Sequence, residues 1–295
     1  YNDCHQQGQS RHMHRFVFHN GSVLPLAQVR LSPGQAGLLN GWGVFSTVRI
    51  YRGRPFEFDH HFDRLERDAH RISLPLPYTR QQVHEAVIEL VRANQVQDGC
   101  LRIYFVNNQA AIWGSTEDLP EIDWIMYSVE LPARVGPVKL ALQTNGRHAV
   151  HPLAGTKVTS WLHNVWTVDQ AHRRGFEDAV LLNEFGHVTE CTAANLYIVK
   201  NGQVITPPLS SGCLAGVSRL LLEQLGPKAG IPIHERDFTA EEMYAADEVF
   251  ISSTTRQVQA VEQIEDVRYR NIPGPMTQKL AEIFDLYVKE SAVAE

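Results

Sequence analysis

The chain has few cysteines, no marked charge excess and no long apolar run, and each shortage excludes a class of protein. Its 295 residues hold four cysteines without a Cys-x-x-Cys pair, which argues against a disulfide scaffold or a structural zinc site and favours a reducing, cytoplasmic setting. The 27 basic and 33 acidic side chains form no basic stripe, so nucleic acid is not an expected partner. No segment approaches the roughly 18 apolar residues of a membrane-spanning helix, so no membrane partner is expected.

Histidine is abundant, with fourteen in the chain, and several lie close to the N-terminus. His5, His12, His14 and His19 have no carboxylate or cysteine companion at ligand spacing. We therefore expect a flexible polar tail over residues 1–14 rather than a metal site, and we expect no metal ion elsewhere in the chain.

Periodicity predicts mixed strands and helices. Asn20-Gly21 predicts a hairpin turn, and alternation in Val44-Phe-Ser-Thr-Val-Arg-Ile-Tyr51 predicts a strand. Asp59 and Thr79 are candidate caps for the two helices that follow. Further strands are predicted over 101–106, 124–131, 138–143, 179–183, 195–199 and 249–253, and further helices over 161–175, 217–225 and 276–287.

A proline- and glycine-containing stretch divides the sequence. Pro132-Ala-Arg-Val-Gly-Pro137 predicts a linker between two halves. We expect a smaller N-terminal α/β domain over residues 1–133 and a larger C-terminal domain over residues 134–295. The predicted fold class is therefore α/β or α+β with two domains.

The most informative segment is a long spaced pattern in the second half. It reads Glu190-Cys-Thr-Ala-Ala-Asn-Leu-Tyr197, then Val204-Ile-Thr206, then Leu214-Ala-Gly-Val-Ser-Arg219. This pattern resembles the signature of the class IV aminotransferases, the fold-type IV enzymes that use pyridoxal 5'-phosphate. The resemblance extends from about Phe16 to Val261. It implies a C-terminal cofactor-binding domain with the cofactor at the domain interface.

Two charged residues receive cofactor roles from this resemblance. His60-His-Phe-Asp-Arg-Leu65 is similar to the family's His-x-x-x-Arg-Leu motif, which implies that Arg64 binds the cofactor phosphate. A guanidinium suits this role because its paired donors match phosphate oxygens. Glu190 matches the carboxylate that faces the pyridine nitrogen in the family. A carboxylate there keeps the nitrogen protonated, so that the ring accepts electrons.

Lys157 is the residue that the resemblance makes the Schiff-base lysine and the catalytic residue. Its flank, Gly155-Thr-Lys-Val-Thr-Ser-Trp-Leu162, is similar to the family's Lys-x-x-Asn-x-Leu pattern. Ser160 stands where the family usually has Asn. Because an imine needs a neutral amine, we expect desolvated surroundings for this lysine.

The resemblance also implies two further phosphate-binding segments. Gly216-Val217-Ser218 opens a predicted helix and offers backbone amides and a hydroxyl to a phosphate. Ser253-Thr254-Thr255 resembles the family's Gly-Thr-Ala turn. This similarity implies a second hydroxyl from Thr254 and places Thr255 near the substrate carboxylate.

The predicted strand over 44–51 carries the candidate substrate residues. Side chains alternate along a strand, so Phe45, Thr47 and Arg49 share one face, and in the family this face looks onto the substrate. Apolar Phe45 and Val44 favour an apolar substrate side chain. Arg49 and Arg102 are candidates to bind the substrate carboxylate, as is the turn with Thr255.

These residues leave amino transfer and elimination open. Thr47 is more typical of aminodeoxychorismate lyases, which release pyruvate. Asn107-Asn-Gln-Ala-Ala-Ile-Trp113 replaces the Arg-Gly run that lyases usually carry, and Cys100 replaces a Tyr that branched-chain enzymes have before Arg102.

We expect a pyridoxal-phosphate-dependent transaminase, similar to branched-chain aminotransferases, that moves an amino group from a small or branched-chain amino acid to a 2-keto acid. A lyase and a D-amino-acid aminotransferase are the alternatives. A homodimer is the family's usual assembly.

Overall fold

The computed structural model describes residues 12–32, 34–108, 120–131 and 136–291. The chain divides into two compact units, Tyr1–Arg134 and Val135–Glu295. Both units combine strands with helices, which confirms the expected mixed α/β fold class. Residues 1–11 of the predicted tail and residues 132–135 of the predicted linker lie outside the described residues.

Within its described residues, the first unit is built on a six-stranded antiparallel sheet with the strand order β2-β1-β6-β5-β3-β4. Its elements are, in chain order, β1 Met13–His19, β2 Ser22–Pro25, α1 Ala36–Asn40, β3 Gly43–Tyr51, β4 Arg54–Pro55, α2 Phe58–Arg71, α3 Arg80–Ala93, β5 Asp98–Asn107 and β6 Ile122–Val129.

The predicted hairpin joins β1 to β2. Asn20 and Gly21 have φ values of 46° and 91°, the positive angles that a tight hairpin turn requires, and this prediction is confirmed. Strand β1 begins at Met13, inside the stretch expected to be tail. His14 Nδ1 lies 2.9 Å from Ser128 Oγ on β6, so the end of that stretch belongs to the sheet.

The two predicted caps have different outcomes. Helix α2 begins at Phe58 after Glu57, which has a φ of 54° and makes no side-chain cap hydrogen bond, so the prediction of Asp59 as the cap is wrong. Asp59 lies in the first turn of α2, where its negative charge interacts favourably with the positive end of the helix dipole. Thr79 caps α3 as predicted, in a capping box with Gln82.

One face of the first sheet packs against α2 and α3. Alternation along β3 buries Val44 and Val48 in this core and turns Phe45 and Thr47 to the opposite face. Val44 is fully buried, so the expectation that it faces the substrate beside Phe45 is wrong. The face with Phe45 carries the candidate substrate residues.

Within its described residues, the second unit is built on a nine-stranded sheet with the order β12-β11-β10-β13-β14-β7-β8-β9 and β15 paired to β14. Its elements are, in chain order, β7 Val138–Gln143, α4 Leu162–Arg173, β8 Asp178–Leu182, β9 Val188–Cys191, β10 Asn195–Lys200, β11 Gln203–Thr206, α5 Val217–Lys228, β12 Ile233–Glu235, α6 Ala240–Tyr244, β13 Glu248–Ser253, β14 Gln257–Ile264, β15 Val267–Arg268 and α7 Pro275–Ser291.

Six of these strands form a closed ring. Strand β9 pairs with β8 and also with β10, through Glu190 and Asn195, so the path β10-β13-β14-β7-β8-β9 returns to β10. Apolar side chains fill one side of this ring, among them Val180, Leu196 and Ile251. Glu190 and Asn195 each precede a core residue, Cys191 and Leu196, so their side chains lie on the other side of the strands.

None of the helices in the described ranges has both the length and the apolar character needed to cross a bilayer.

Candidate active site

Glu190 is a buried carboxylate with two donors. Arg147 Nε donates to Glu190 Oε1 at 3.0 Å, and the backbone amide of Leu214 donates to Glu190 Oε2 at 3.0 Å. The residue is 6% exposed. Because each oxygen has its own donor, the orientation of the carboxylate is fixed.

Arg147 is a site residue that sequence reasoning missed. Besides Glu190, its Nη1 donates to Asn164 Oδ1 on α4 at 3.2 Å. Asn164 Nδ2 in turn donates to the carbonyl of Thr192 at 2.5 Å. Arg147 lies 43 residues before Glu190 with no local motif around it, so only the fold reveals the contact.

Lys157 lies between β7 and α4, next to an aromatic ring. Its Nζ is 4.7 Å from the centre of the Trp161 ring, within range of a cation–π interaction. The hydroxyl oxygens of Thr156 and Thr159 are buried and make no hydrogen bond within the described part of the chain. Buried polar groups normally have partners, so these two hydroxyls fit a polar ligand beside Lys157.

The start of α5 presents uncapped amides. Gly216 precedes the helix without a side-chain cap hydrogen bond, and Val217 and Ser218 are buried in its first turn. A Cβ at Gly216 would overlap Asn195 Oδ1, so glycine is required there. A helix N-terminus with available amides is a suitable phosphate site.

Arg219, which ends the signature pattern, anchors the loop that leads into α5. It is 2% exposed, and its guanidinium donates to the Pro207 carbonyl at 2.7 Å, to Glu223 at 2.7 Å and to Glu235 at 2.6 Å. These contacts of the buried guanidinium with two partly exposed carboxylates and a backbone carbonyl hold the segment that carries the Leu214 amide. The sequence pattern alone assigns Arg219 no such role.

The register of the sheet brings the turn after β13 near Glu190 and the start of α5. Asn195 pairs with Glu190 on β9 and with Ser252 on β13, so these three residues form one row across three strands. Asn195 Nδ2 also donates to the Leu214 carbonyl at 2.8 Å. The turn with Thr254 begins two residues beyond this row, so the second unit assembles Glu190, the α5 start and that turn around Asn195.

In the first unit, Arg64 is buried on α2 beside β3. Its Nη2 donates to Ser46 Oγ at 2.9 Å and lies 3.4 Å from His61 Nδ1. Burial lowers the pKa of Arg64 to about 10, because the guanidinium loses its hydration. The group remains charged at neutral pH, and an anion such as phosphate suits it.

The opposite face of the first sheet holds an aromatic cluster around Arg102. The guanidinium lies 5.9 Å from the centre of the Phe45 ring and donates to the Tyr104 hydroxyl at 3.1 Å. The Phe45 and Tyr104 rings stack at 5.4 Å, and the hydroxyls of Tyr104 and Tyr127 are 3.2 Å apart. Burial raises the pKa of Tyr127 to about 12, so its phenol stays protonated at neutral pH.

The predicted substrate residues are only partly brought together. Thr47 pairs with Arg102 in the register of β3 and β5, next to Phe45. Arg49 lies further along β3, with its guanidinium 4.7 Å from the centre of the Tyr51 ring. Arg64 contacts the other face of this sheet.

Sequence reasoning missed Tyr104 and Tyr127. Tyr104 lies two residues beyond Arg102, and alternation could have found it. Residues 107–113 stand where lyases usually carry an Arg-Gly run. From position 109 onward, this segment lies outside the described residues.

The chain has known relatives in sequence and in structure. Residues 43–264 match the model of the amino-transferase class IV family. The chain is 30% identical over 259 residues to the D-alanine aminotransferase of Listeria monocytogenes, covering 83% of this chain and 86% of that protein. It resembles the crystal structure of the branched-chain aminotransferase of Thermoproteus uzoniensis with norvaline at a TM-score of 0.84 and 28% identity, covering 93% of this chain and 95% of the other.

A second solved structure has the same fold. The branched-chain amino acid aminotransferase of Escherichia coli gives a TM-score of 0.82 at 22% identity. The match covers 91% of this chain and 92% of the other.

Proposed function

The chain belongs to the class IV aminotransferases, a family of pyridoxal-phosphate-dependent transaminases, and we propose that it moves an amino group from a small or branched-chain amino acid to a 2-keto acid. The observation that carries the proposal is the doubly anchored Glu190 in the same unit as Lys157. The apolar ring of Phe45 supports a donor with an apolar side chain.

The donor set fits pyridoxal 5'-phosphate. The buried, hydrogen-bonded carboxylate of Glu190 suits the pyridinium nitrogen, and the buried hydroxyls beside Lys157 suit the polar groups of the ring. When bound, the cofactor supplies an electron sink for the charge that develops on the substrate Cα. The residues that would hold its phosphate are Arg64, Gly216, Val217, Ser218 and Thr254.

We propose that two residues act in the reaction, Lys157 as the group that carries the proton and Glu190 as a fixed negative charge. Lys157 Nζ would take the proton from the substrate Cα as a general base and, as a general acid, would deliver it to the cofactor carbon that retains the transferred nitrogen. Glu190, held by Arg147 and the Leu214 amide, would keep the pyridine nitrogen of the cofactor protonated. The indole of Trp161 stabilises the charged form of Lys157 between the two transfers.

On the substrate side, we propose that Arg102 binds the carboxylate. Its hydrogen bond to Tyr104 fixes the guanidinium over Phe45, so the charge and the apolar surface lie side by side. Arg49 and Thr255 are further candidate carboxylate ligands. Thr47 lies next to this cluster in the register and would limit the space beside Phe45.

A panel of amino donors tests this proposal. The purified protein is given D- and L-amino acids with 2-oxoglutarate or pyruvate, and the new amino acid is measured. We expect the fastest transfer from branched-chain or small donors. Transfer from D-alanine alone would favour the second candidate, a D-amino-acid aminotransferase, which the 30% identity to the Listeria enzyme supports. Pyruvate release from aminodeoxychorismate without an acceptor would instead identify a lyase.

Arg64→Ala is expected to weaken cofactor retention by about one to two orders of magnitude, since a hydrogen bond to a charged group contributes about 1.5–3 kcal/mol. The measurement is the cofactor absorbance that remains after dialysis against a concentration series. Arg67→Ala on the same helix is the control, because its guanidinium is half exposed and pairs with Asp68. Equal retention by both variants would show that Arg64 does not bind the phosphate.

The proposal includes a homodimer, which an apolar stripe on α4 supports. Leu162, Val165 and Trp166 are 78%, 54% and 52% exposed, and their spacing places them on one side of the helix. Exposed apolar patches are characteristic of protein interfaces. The stripe therefore suits burial against a second copy of the chain.

Trp166→Glu is expected to raise the dimer dissociation constant by about 10²-fold or more, because aromatic interface residues contribute most of the binding energy. Sedimentation velocity over a concentration series measures this shift. Arg173→Glu changes the charge on the last turn of the same helix without removing apolar surface, and it serves as the control. A dimer of unchanged affinity in Trp166→Glu would place the interface elsewhere.

A reducing, cytoplasmic setting is also part of the proposal. Cys191 and Cys213 are buried free thiols, and Cys100 is also buried. Free thiols of this kind are typical of proteins in reducing compartments. Cys4 lies outside the described residues.

A further inference from the structure

Asp178, the first residue of β8, is a buried carboxylate that joins separate segments. It is 1% exposed, and its Oδ1 accepts hydrogen bonds from the amides of Ala179 and Thr192 at 2.8 and 3.2 Å and from the Thr192 hydroxyl. Its Oδ2 lies 3.3 Å from Nη2 of Arg256, which follows Thr255. A buried charge is costly unless it is paired, so these partners have to stay in place.

The pairing with Arg256 acts on the turn after β13. The backbone amide of Arg256 donates to the carbonyl and to the hydroxyl of Ser253, both at 3.2 Å, and this closes the turn. Thr254 and Thr255 lie between these two residues. The turn is thus fixed by β13 on one side and by the anchored guanidinium of Arg256 on the other.

A second path of hydrogen bonds leads from Asp178 toward Glu190. The carbonyl of Thr192 accepts from Asn164 Nδ2, and Asn164 Oδ1 accepts from Arg147 Nη1. Arg147 Nε then donates to Glu190. One carboxylate therefore contacts both the turn with Thr254 and the network that supports Glu190.

We propose that Asp178 is a positioning residue, which holds the turn with Thr254 in its phosphate-binding geometry through Arg256. This inference rests on the proposed function, because it takes Thr254 as a ligand of the cofactor phosphate. The negative charge is the property that matters. Asparagine at this position would keep an acceptor for Ala179 and Thr192 but would give Arg256 only a neutral partner.

The test compares ligands with and without a phosphate. Full-length wild-type protein and the Asp178→Asn variant are freed of cofactor and titrated with pyridoxal 5'-phosphate and with pyridoxal. We expect the variant to bind pyridoxal 5'-phosphate about tenfold more weakly, while its affinity for pyridoxal changes less than about twofold. Inorganic phosphate should also compete less well with pyridoxal 5'-phosphate in the variant.

Glu248→Gln is the matched control. Glu248 is a buried carboxylate at the other end of β13, and it accepts from the amides of Met276 and Thr277 at 3.0 and 2.8 Å and from the Thr277 hydroxyl. We expect this variant to lose thermal stability but to keep the wild-type preference for the phosphorylated ligand. A loss of stability alone is therefore not expected to produce the selective loss of affinity for pyridoxal 5'-phosphate.

The possible outcomes distinguish a failure of the proposed function from a failure of the role proposed for Asp178. A wild-type protein that does not prefer pyridoxal 5'-phosphate over pyridoxal would contradict the proposed function itself. A wild-type preference that survives in Asp178→Asn would overturn the role of Asp178 alone. An equal loss of both ligands in Asp178→Asn would also overturn it, because it would indicate general loosening of the unit.

Discussion

Lys157→Ala is expected to lower the rate of amino transfer by roughly 10³-fold or more, since a positioned general acid–base contributes about 10²–10⁴-fold. The variant loses the amine that we propose both to hold the cofactor and to move the proton at the substrate Cα. Thr156 and Thr159 remain in place but offer only hydroxyls, which do not replace an amine as a base at neutral pH. The measurement is the steady-state rate with the best donor of the panel.

The covalent role of Lys157 has its own test. Borohydride reduction of the wild-type protein, followed by peptide mapping, should find the pyridoxyl group on Lys157. Lys200→Ala is the control variant, because Lys200 lies in the same unit but interacts with Glu242 at 3.9 Å. A pyridoxyl group on any other lysine, or full activity in Lys157→Ala, would contradict the assignment.

Glu190→Gln is expected to keep the cofactor but to slow the proton shift by about 10²–10³-fold, the loss typical of removing one electrostatic group from a catalytic site. Glutamine preserves the size of the side chain and one acceptor oxygen. It removes the charge that, in our proposal, keeps the pyridine nitrogen protonated, so electron withdrawal from the substrate should weaken. Single-turnover rates with donors deuterated at Cα measure the effect, and the isotope effect should increase.

Two further variants serve as comparisons for Glu190→Gln. Arg147→Gln should lower the rate less than Glu190→Gln, because the Leu214 amide still holds Glu190. Glu177→Gln changes an exposed carboxylate that accepts from the Lys139 amide, and it should leave the rate unchanged. A proton shift of normal speed in Glu190→Gln would show that this carboxylate does not act on the ring.

Local patterns explain which parts of the fold were predictable. The alternation of β3 and the capping box at Thr79 involve residues close together in the chain, so period and propensity suffice to find them. The failed cap at Asp59 shows the limit of this reasoning. The helix begins two residues earlier than a cap at Asp59 predicts, because the backbone of Glu57 adopts a left-handed conformation, and no residue preference indicates that conformation.

The contacts that complete the site depend on long-range pairing. Arg147 meets Glu190, and Arg256 meets Asp178, only after strands distant in sequence have paired. Tyr127 likewise reaches Tyr104 through the register of β5 and β6. A single sequence contains no local signal for such pairs, whereas the residues of the signature pattern were identified by resemblance alone.

The closed ring of strands has a consequence for the order of events during synthesis. Strand β7 at the beginning of the second unit pairs with β14, with Val138 opposite Val261, so the ring closes only after the chain beyond Ile264 has left the ribosome. Pairing across such a separation is slow, because a long loop must be ordered first. A nascent chain that already displays Lys157 and Glu190 therefore still lacks the strand that leads out of the turn with Thr254. The turn that we propose to bind the cofactor phosphate is therefore completed late in the folding of the second unit.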